Sequence, residues 1–357
     1  MNHFSQIAAA LAAHDLDAML LTHEANRFYA CGFRSPATDG VALVTKQGNY
    51  YFTDSRYTEA AQRHVADAAI EEVGRGRGYA QLINGVVEAQ SIQRLGFEED
   101  CMTVRDYQTY QEKLKCRLVP GSEMMHRLRA VKDEAEFSAM VAAQRIAEKA
   151  FGDILKEIRP GVTEKEIAAR LQYLMLHYGA EDMSFDPIVV SGANGSLPHG
   201  VPSEKAIQSG ELVTMDFGCI FRGYCSDMTR TVAVGTVSPQ QRRIYETVLS
   251  AQAAGIAAAR AGVIGKEVDA AARAVIEAAG FGAYFTHSFG HGVGVEIHES
   301  PNASPASTGP LPAGAVISAE PGIYIPGKLG VRIEDVIRLR EDGCENLTKA
   351  PKELIVL

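Results

Sequence analysis

The alternation of hydrophobic and polar residues predicts a mixed set of helices and strands at the start of the chain. Apolar side chains recur at helical spacing in residues 4–14, and residues 17–22 form a short apolar run typical of a strand. Residues 41–45 and 50–53 are two further apolar runs, separated by Lys-Gln-Gly-Asn, which is the pattern of a β-hairpin. The pattern therefore predicts a compact mixed α/β domain.

A break in this pattern predicts a second domain. Residues 119–122 read Val-Pro-Gly-Ser and interrupt the alternation, and residues 132–157 then have the spacing of a long helix. We therefore expect an α/β (α+β) chain with an N-terminal domain at residues 1–125 and a second domain at residues 126–357.

The second domain contains a near-repeat at an offset of 101 residues. Gly161-Val162 returns as Gly262-Val263, and Gly179 returns as Gly280. Each copy has the pattern of a helix, a turn at the glycine, a second helix and then strands. The repeat predicts pseudo-two-fold symmetry, with a site between the two halves.

Composition and charge exclude several classes of function. With 357 residues, 46% of them hydrophobic and 22% charged, the chain can bury two ordinary globular cores. The net charge of −9 argues against nucleic acid as a partner. Six scattered cysteines favour a reducing, cytoplasmic location, and we expect no membrane span because no apolar run approaches the required length.

Two aspartates in a predicted hairpin indicate a functional site. Residues 212–217 alternate as a strand, Arg222-Gly223 forms a turn, and residues 224–234 return as a second strand. Pairing Phe221 with Tyr224 places Asp216 and Asp227 on one face as diagonal neighbours. Both are expected mid-strand in apolar surroundings, where an unpaired carboxylate is costly to bury.

Two more acids and a group of histidines extend this set. Glu320 ends one apolar strand and Glu334 lies within another, while residues 286–299 contain three histidines among glycines and apolar residues. Divalent metal ions would compensate buried carboxylates, and an imidazole beside oxygen ligands suits Mn²⁺, Co²⁺, Zn²⁺ or Fe²⁺. The glycines around His291 lack the strand-turn-helix context of a dinucleotide loop, and His199, taken alone, is typical of a loop histidine.

These residues resemble the pita-bread metallopeptidase family, which includes methionine aminopeptidases, Xaa-Pro aminopeptidases, prolidases and the metal-free creatinase. The local contexts that carry the resemblance are residues 215–218, 226–231, 290–294, 320–322 and 331–335. Residues 26–33, 53–57 and 95–98 are similar to the creatinase-like N-terminal domain of the proline-specific branch. The resemblance covers essentially the whole chain.

The resemblance implies a role for each site residue. Two divalent ions, Mn²⁺ being the first expectation, would be held by the five ligands Asp216, Asp227, His291, Glu320 and Glu334. A metal-bridging hydroxide would attack the scissile carbonyl, with His199, His298 and Glu320 as catalytic residues. The expected substrate-binding residues are His287, Tyr324 and Arg332.

The expected activity is that of an Xaa-Pro aminopeptidase, which hydrolyses the bond between an N-terminal residue and a following proline. Prolidases of this family commonly carry an arginine four residues after the histidine that corresponds to His298, where this chain has Asn302. That arginine could clamp the carboxylate of a dipeptide. The alternatives are an Xaa-Pro dipeptidase and a pita-bread binding protein without activity. The family also implies a homodimer acting on proline-containing peptides.

Overall fold

The computed structural model describes residues 2–36 and 39–357 and divides the chain into two compact units, residues 1–129 and 130–357. The boundary predicted after residue 125 lies slightly earlier, within the helix Ser122–Ala130. No helix in the described ranges is long and apolar enough to cross a membrane.

The N-terminal unit is built on one six-stranded mixed sheet with the strand order β4-β3-β2-β1-β5-β6. Its strands are β1 (Ala18–Leu21), β2 (Gly40–Thr45), β3 (Asn49–Thr53), β4 (Ala69–Glu72), β5 (Arg94–Phe97) and β6 (Arg117–Pro120). Its helices are α1 (Phe4–Ala10), α2 (Glu24–Cys31), α3 (Thr58–His64), α4 (Tyr79–Ala89), α5 (Val104–Lys113) and α6 (Ser122–Ala130). The predicted hairpin is confirmed as the antiparallel pair of β2 and β3.

The second unit combines four long helices with short strands. The helices are α7 (Glu134–Ile154), α8 (Glu164–His177), α9 (Pro239–Ala258) and α10 (Gly265–Ala278). The strands of its first half are β7 (Asp182–Met183), β8 (Ile188–Ser191), β9 (Leu212–Phe217), β10 (Cys219–Phe221), β11 (Tyr224–Cys225) and β12 (Met228–Ala233). Those of its second half are β13 (Gly290–Gly292), β14 (Glu299–Ala303), β15 (Val316–Ala319), β16 (Gly322–Ile325), β17 (Leu329–Arg332), β18 (Asp335–Arg340) and β19 (Gly343–Asn346).

The 101-residue repeat corresponds to two similar halves of this unit. Gly161 and Gly262 both adopt positive φ, at 94° and 82°, in the turns that precede α8 and α10. Gly179 and Gly280 adopt φ of 102° and 85° after those helices. Glycine occupies such positions without the steric strain that a Cβ would cause. The predicted turns and helix pairs are thus confirmed.

Each half has its own hydrophobic core. In the first half, Phe151 of α7 and Leu171 of α8 pack against the sheet β12-β9-β8. In the second half, Val248 of α9 and Ile276 of α10 pack against the sheet β14-β13-β15-β18-β19. The α/β class and the pseudo-symmetric second domain are confirmed.

The strands break where the acidic residues lie, which corrects one expectation. Asp227 and Glu334 were expected mid-strand, but they lie between β11 and β12 and between β17 and β18. Glu320 likewise separates β15 from β16. The reason is that the chain changes partners there: the backbone N–H of Glu334 donates to the carbonyl of Thr229, and that of Glu320 donates to the carbonyl of Phe289. Of the four carboxylates, only Asp216 lies within a strand.

Candidate active site

The hairpin places Asp216 and Asp227 on one face, as its pattern predicts. Phe221 pairs with Tyr224, and Asp216 pairs with Thr229 in the same antiparallel register. Asp227 precedes Thr229 by two positions, so its carboxylate is the diagonal neighbour of Asp216. Both side chains line one cavity of about 640 Å³.

His291 faces the carboxylates from β13 of the other half. Its Nδ1 lies 3.1 Å from the carbonyl oxygen of Gly292, which can only accept, so Nδ1 carries a hydrogen. Its Nε2 lies 3.1 Å from Oε1 of Glu320 and 3.7 Å from Oδ2 of Asp227. Burial lowers the pKa of His291, but the hydrogen bond and charge of Glu320 outweigh this effect and raise the pKa. Nε2 is therefore the nitrogen that can exchange a proton for a metal ion.

The donor set fits divalent cations. Ligand atoms of Asp227, His291 and Glu334 all lie within 4.8 Å of one another. Oδ1 of Asp216 and Oε1 of Glu334 are buried and have no hydrogen-bond partner among the described residues. An unsatisfied buried carboxylate oxygen is costly, and a bound cation would satisfy it. The five residues expected as ligands, Asp216, Asp227, His291, Glu320 and Glu334, all line the cavity.

Mutual repulsion dominates the electrostatics of the cluster. Burial, followed by the charges of Glu334 and Asp216, raises the pKa of Asp227 well above its usual value. Burial, followed by the charges of Glu320 and Asp216, does the same to the pKa of Glu334. Burial opposes ionisation of Glu320 as well, but the hydrogen bond and charge of His291 lower its pKa to about 2. Without cations the cluster therefore favours bound protons at Asp227 and Glu334.

Arg332 connects several parts of the site. Its Nη2 donates to Oδ2 of Asp216 at 2.5 Å, and its Nη1 donates to the hydroxyl of Tyr324 at 2.8 Å and to the carbonyl of Pro198 at 3.2 Å. Its Nε donates to Oγ1 of Thr229 at 3.1 Å. Only 3% of Arg332 is exposed, so its guanidinium is occupied by protein partners.

Tyr324 lies behind the cavity wall and connects Arg332 to His287. Nδ1 of His287 lies 2.9 Å from the carbonyl of Ser288, and its Nε2 lies 2.9 Å from the hydroxyl of Tyr324. Burial lowers the pKa of His287, so its ring is neutral and Nε2 accepts from Tyr324. Burial raises the pKa of Tyr324 to about 12, and Tyr324 is not among the residues that line the cavity, whereas His287 and Arg332 are.

His199 and His298 line the cavity. The ring of His298 contacts the ring of His291 edge to face, with centroids 4.2 Å apart. Partial burial and the charge of His291 lower the pKa of His298, which favours a neutral ring with one N–H donor. Apolar walls are supplied by Phe185, Ile188, Val201 and Ile297.

The sequence pattern did not predict two hydroxyl groups that bind the carboxylates, those of Thr229 and Ser318. Thr229 donates to Oε2 of Glu334 at 2.7 Å. Ser318 accepts from the backbone N–H of His291 at 3.0 Å and donates to Oε1 of Glu320 at 3.1 Å. Thr229 follows Asp227 by two positions and Ser318 precedes Glu320 by two, so the two-residue period of a strand was the available signal.

Comparison with known proteins identifies the class of both units. Residues 138–341 match the family described as "Metallopeptidase family M24". Residues 4–131 match the family described as "Creatinase/Prolidase N-terminal domain". The chain belongs to metallopeptidase family M24, and its second unit has the pita-bread fold.

Particular relatives cover the chain almost completely. An Xaa-Pro dipeptidase from Pyrococcus horikoshii is 36% identical, over 96% of this chain and 95% of the relative. The structure of an Xaa-Pro dipeptidase from Bacillus anthracis matches with a TM-score of 0.94 and 42% identity, covering 99% of both chains. The structure of an X-Pro aminopeptidase from Thermotoga maritima MSB8 matches with a TM-score of 0.93 and 34% identity, covering 100% of both.

Proposed function

We propose that this protein hydrolyses the peptide bond between an N-terminal residue and a following proline, and that it uses two divalent cations held by Asp216, Asp227, His291, Glu320 and Glu334. Mn²⁺ is the first candidate, with Co²⁺, Zn²⁺ and Fe²⁺ as alternatives. The buried oxygens of Asp216 and Glu334 that lack partners among the described residues support this cation site. The similarity to Xaa-Pro dipeptidases and an X-Pro aminopeptidase from three organisms supports the Xaa-Pro specificity.

The side chains divide the chemistry among them. Bound divalent cations would lower the pKa of water toward neutrality and polarise the peptide carbonyl. Glu320, held as a carboxylate, would accept the proton of the attacking water and deliver it to the proline nitrogen. His199 and His298, on the cavity wall, would donate hydrogen bonds to the carbonyl oxygen as it gains negative charge.

The basic side chains that line the cavity favour peptides longer than a dipeptide. This observation carries the assignment as an aminopeptidase. Arg332 is the one arginine that lines the cavity in the described part of the chain, and no lysine lines it. The guanidinium of Arg332 is held by Asp216 and Tyr324. Asn302 lines the cavity at the position where prolidases of the family commonly carry arginine. The carboxylate of a bound dipeptide would thus lack a bidentate partner.

An Xaa-Pro dipeptidase is the second candidate. The Xaa-Pro dipeptidases from Pyrococcus horikoshii and Bacillus anthracis favour it, because their similarity to this protein extends over 96% and 99% of this chain. Backbone N–H groups or the cavity histidines would then have to bind the carboxylate.

The comparison of Ala-Pro with Ala-Pro-Ala on the Mn²⁺-loaded protein decides between the two. We expect kcat/KM to be at least about 10-fold higher for the tripeptide, since a missing charged clamp costs about 1.5–3 kcal/mol. Asn302→Arg is the matched variant, and it should raise kcat/KM for the dipeptide selectively. Cleavage of the dipeptide alone by the natural chain would reverse the assignment.

We further propose that the protein is a cytoplasmic homodimer. Both proposals rest on the family resemblance and on the spacing of the cysteines in the sequence. Mass measurement in solution by light scattering tests the dimer, and a monomer at micromolar concentration would contradict it.

A further inference from the structure

A buried ion pair lies next to the catalytic histidine His298. Nζ of Lys132 lies 2.6 Å from Oε1 of Glu299, and only 1% and 6% of the two side chains are exposed. Nζ also donates to the carbonyl of Ala130 at 3.4 Å. Taking two charges out of water is costly, so such a pair is stable only when its geometry is well fixed.

Glu299 is tied to the backbone that carries the site. It is the first residue of β14 and pairs with Gly292, the neighbour of His291. A Cβ at Gly294 would lie 2.2 Å from Oε1 of Glu299, so the carboxylate packs directly on the backbone of Gly294. The ion pair therefore holds Glu299, and strand pairing ties Glu299 to Gly292 beside His291.

His298 depends on this segment for its position. Its ring contacts the ring of His291, but it has no hydrogen bond to another described residue. A ring without a hydrogen-bonded support takes its orientation from its own backbone and its packing. The adjacent residue in the chain, Glu299, is the one anchored by Lys132.

We propose that Lys132 is a positioning residue that holds His298 over the reacting carbonyl through Glu299. This inference rests on the proposed function. Lys132 contacts neither the cavity nor the five expected metal ligands, so its effect passes through the backbone of residues 298 and 299. A displacement of about 1 Å at a catalytic group can lower turnover about 100-fold.

Lys132→Met tests this role against a matched control. We expect kcat on Ala-Pro-Ala to fall about 10-fold or more while KM stays within about threefold, as for a group that acts in the transition state. In calorimetric titration, Lys132→Met should bind Mn²⁺ with the same affinity as the natural chain. Lys205→Met is the control, because Lys205 forms a partly buried pair with Glu211, 2.7 Å apart, and does not line the cavity.

The double variant Lys132→Met/Glu299→Gln separates positioning from charge burial. It also replaces the charged partner of Lys132 with a neutral amide, so its thermal stability should recover toward that of the natural chain while kcat remains low. Recovered kcat in the double variant, weakened Mn²⁺ binding in Lys132→Met, or a kcat equal to that of Lys205→Met would each overturn the inference. An inactive natural chain would instead refute the proposed function, and the inference with it.

Discussion

At the scale of single residues, hydrogen bonds leave one oxygen of each of two carboxylates free. Thr229 occupies Oε2 of Glu334 and Arg332 occupies Oδ2 of Asp216. The opposite oxygens, Oε1 and Oδ1, are the ones without a described partner. A carboxylate held on one side presents its other oxygen in a fixed direction, which is how supporting residues tune metal ligands.

Thr229→Val should therefore weaken metal binding. Loss of the hydroxyl frees Glu334 to rotate, and we expect Mn²⁺ affinity to fall about 10–100-fold. Thr231→Val is the matched control on the same strand, because Thr231 is also buried but bonds to Thr214 and the backbone of Arg332. Calorimetric titration measures both variants, and equal Mn²⁺ affinities for the two would contradict this account of Thr229.

The sequence predicts the acidic and histidine members of this site but not their supports. Asp216 and Asp227 follow from hairpin register, because one pairing fixes every side chain of two strands. Thr229 and Ser318 contact the carboxylates of residues distant in the chain or across a strand break. Strand spacing places these hydroxyls on the side of Asp227 and Glu320, but the carboxylate that each hydroxyl bonds is fixed by tertiary packing, which local spacing does not encode.

At the scale of elements, the carboxylates lie where strands change sheets. The strand β15 belongs to the five-stranded sheet, and β16, which follows Glu320, belongs to a two-stranded one. The strand β17 returns through Glu334 to β18 of the five-stranded sheet. Apolar runs predict that strands exist, but they do not show where one strand ends and the next begins. The mid-strand placement of Glu334 was wrong for this reason.

Gly290→Ala should disrupt this arrangement. A Cβ at Gly290 would lie 2.0 Å from the carbonyl oxygen of Ser318, a backbone atom that cannot move without shifting β13 from β15. We expect a loss of about 1–3 kcal/mol or more in the free energy of unfolding, together with lost Mn²⁺ binding. Denaturant unfolding measures the change in the free energy of unfolding. Gly309→Ala, where a Cβ meets no atom within 4 Å, should change neither quantity, and equal effects would contradict the steric argument.

At the scale of the whole molecule, part of the excess negative charge is concentrated in the proposed metal site. Two dications would change the net charge from −9 to −5. Without them, burial and mutual repulsion raise the pKa values of Asp216, Asp227 and Glu334. The pKa of Glu320 is about 2, so that group stays ionised across neutral pH.

The cation-free and Mn²⁺-loaded proteins should respond oppositely to pH. A carboxyl whose pKa is raised in the folded state stabilises the fold at low pH, and that contribution is lost as pH rises through the raised pKa. The Tm of the cation-free protein should therefore fall as pH rises above the ordinary carboxyl range, while the increase in Tm on adding Mn²⁺ should grow, because cations displace protons. Asp227→Asn should flatten the cation-free profile. A Tm increment that shrinks as pH rises would contradict the coupling.

The most direct measurement is turnover of Ala-Pro-Ala by the natural chain after thorough chelation and after reconstitution with Mn²⁺. We expect no turnover by the chelated protein, recovery at two Mn²⁺ per chain, and no recovery in Asp227→Ala, which should remain folded. Full turnover after chelation, or none on any Xaa-Pro peptide after reconstitution, would contradict it.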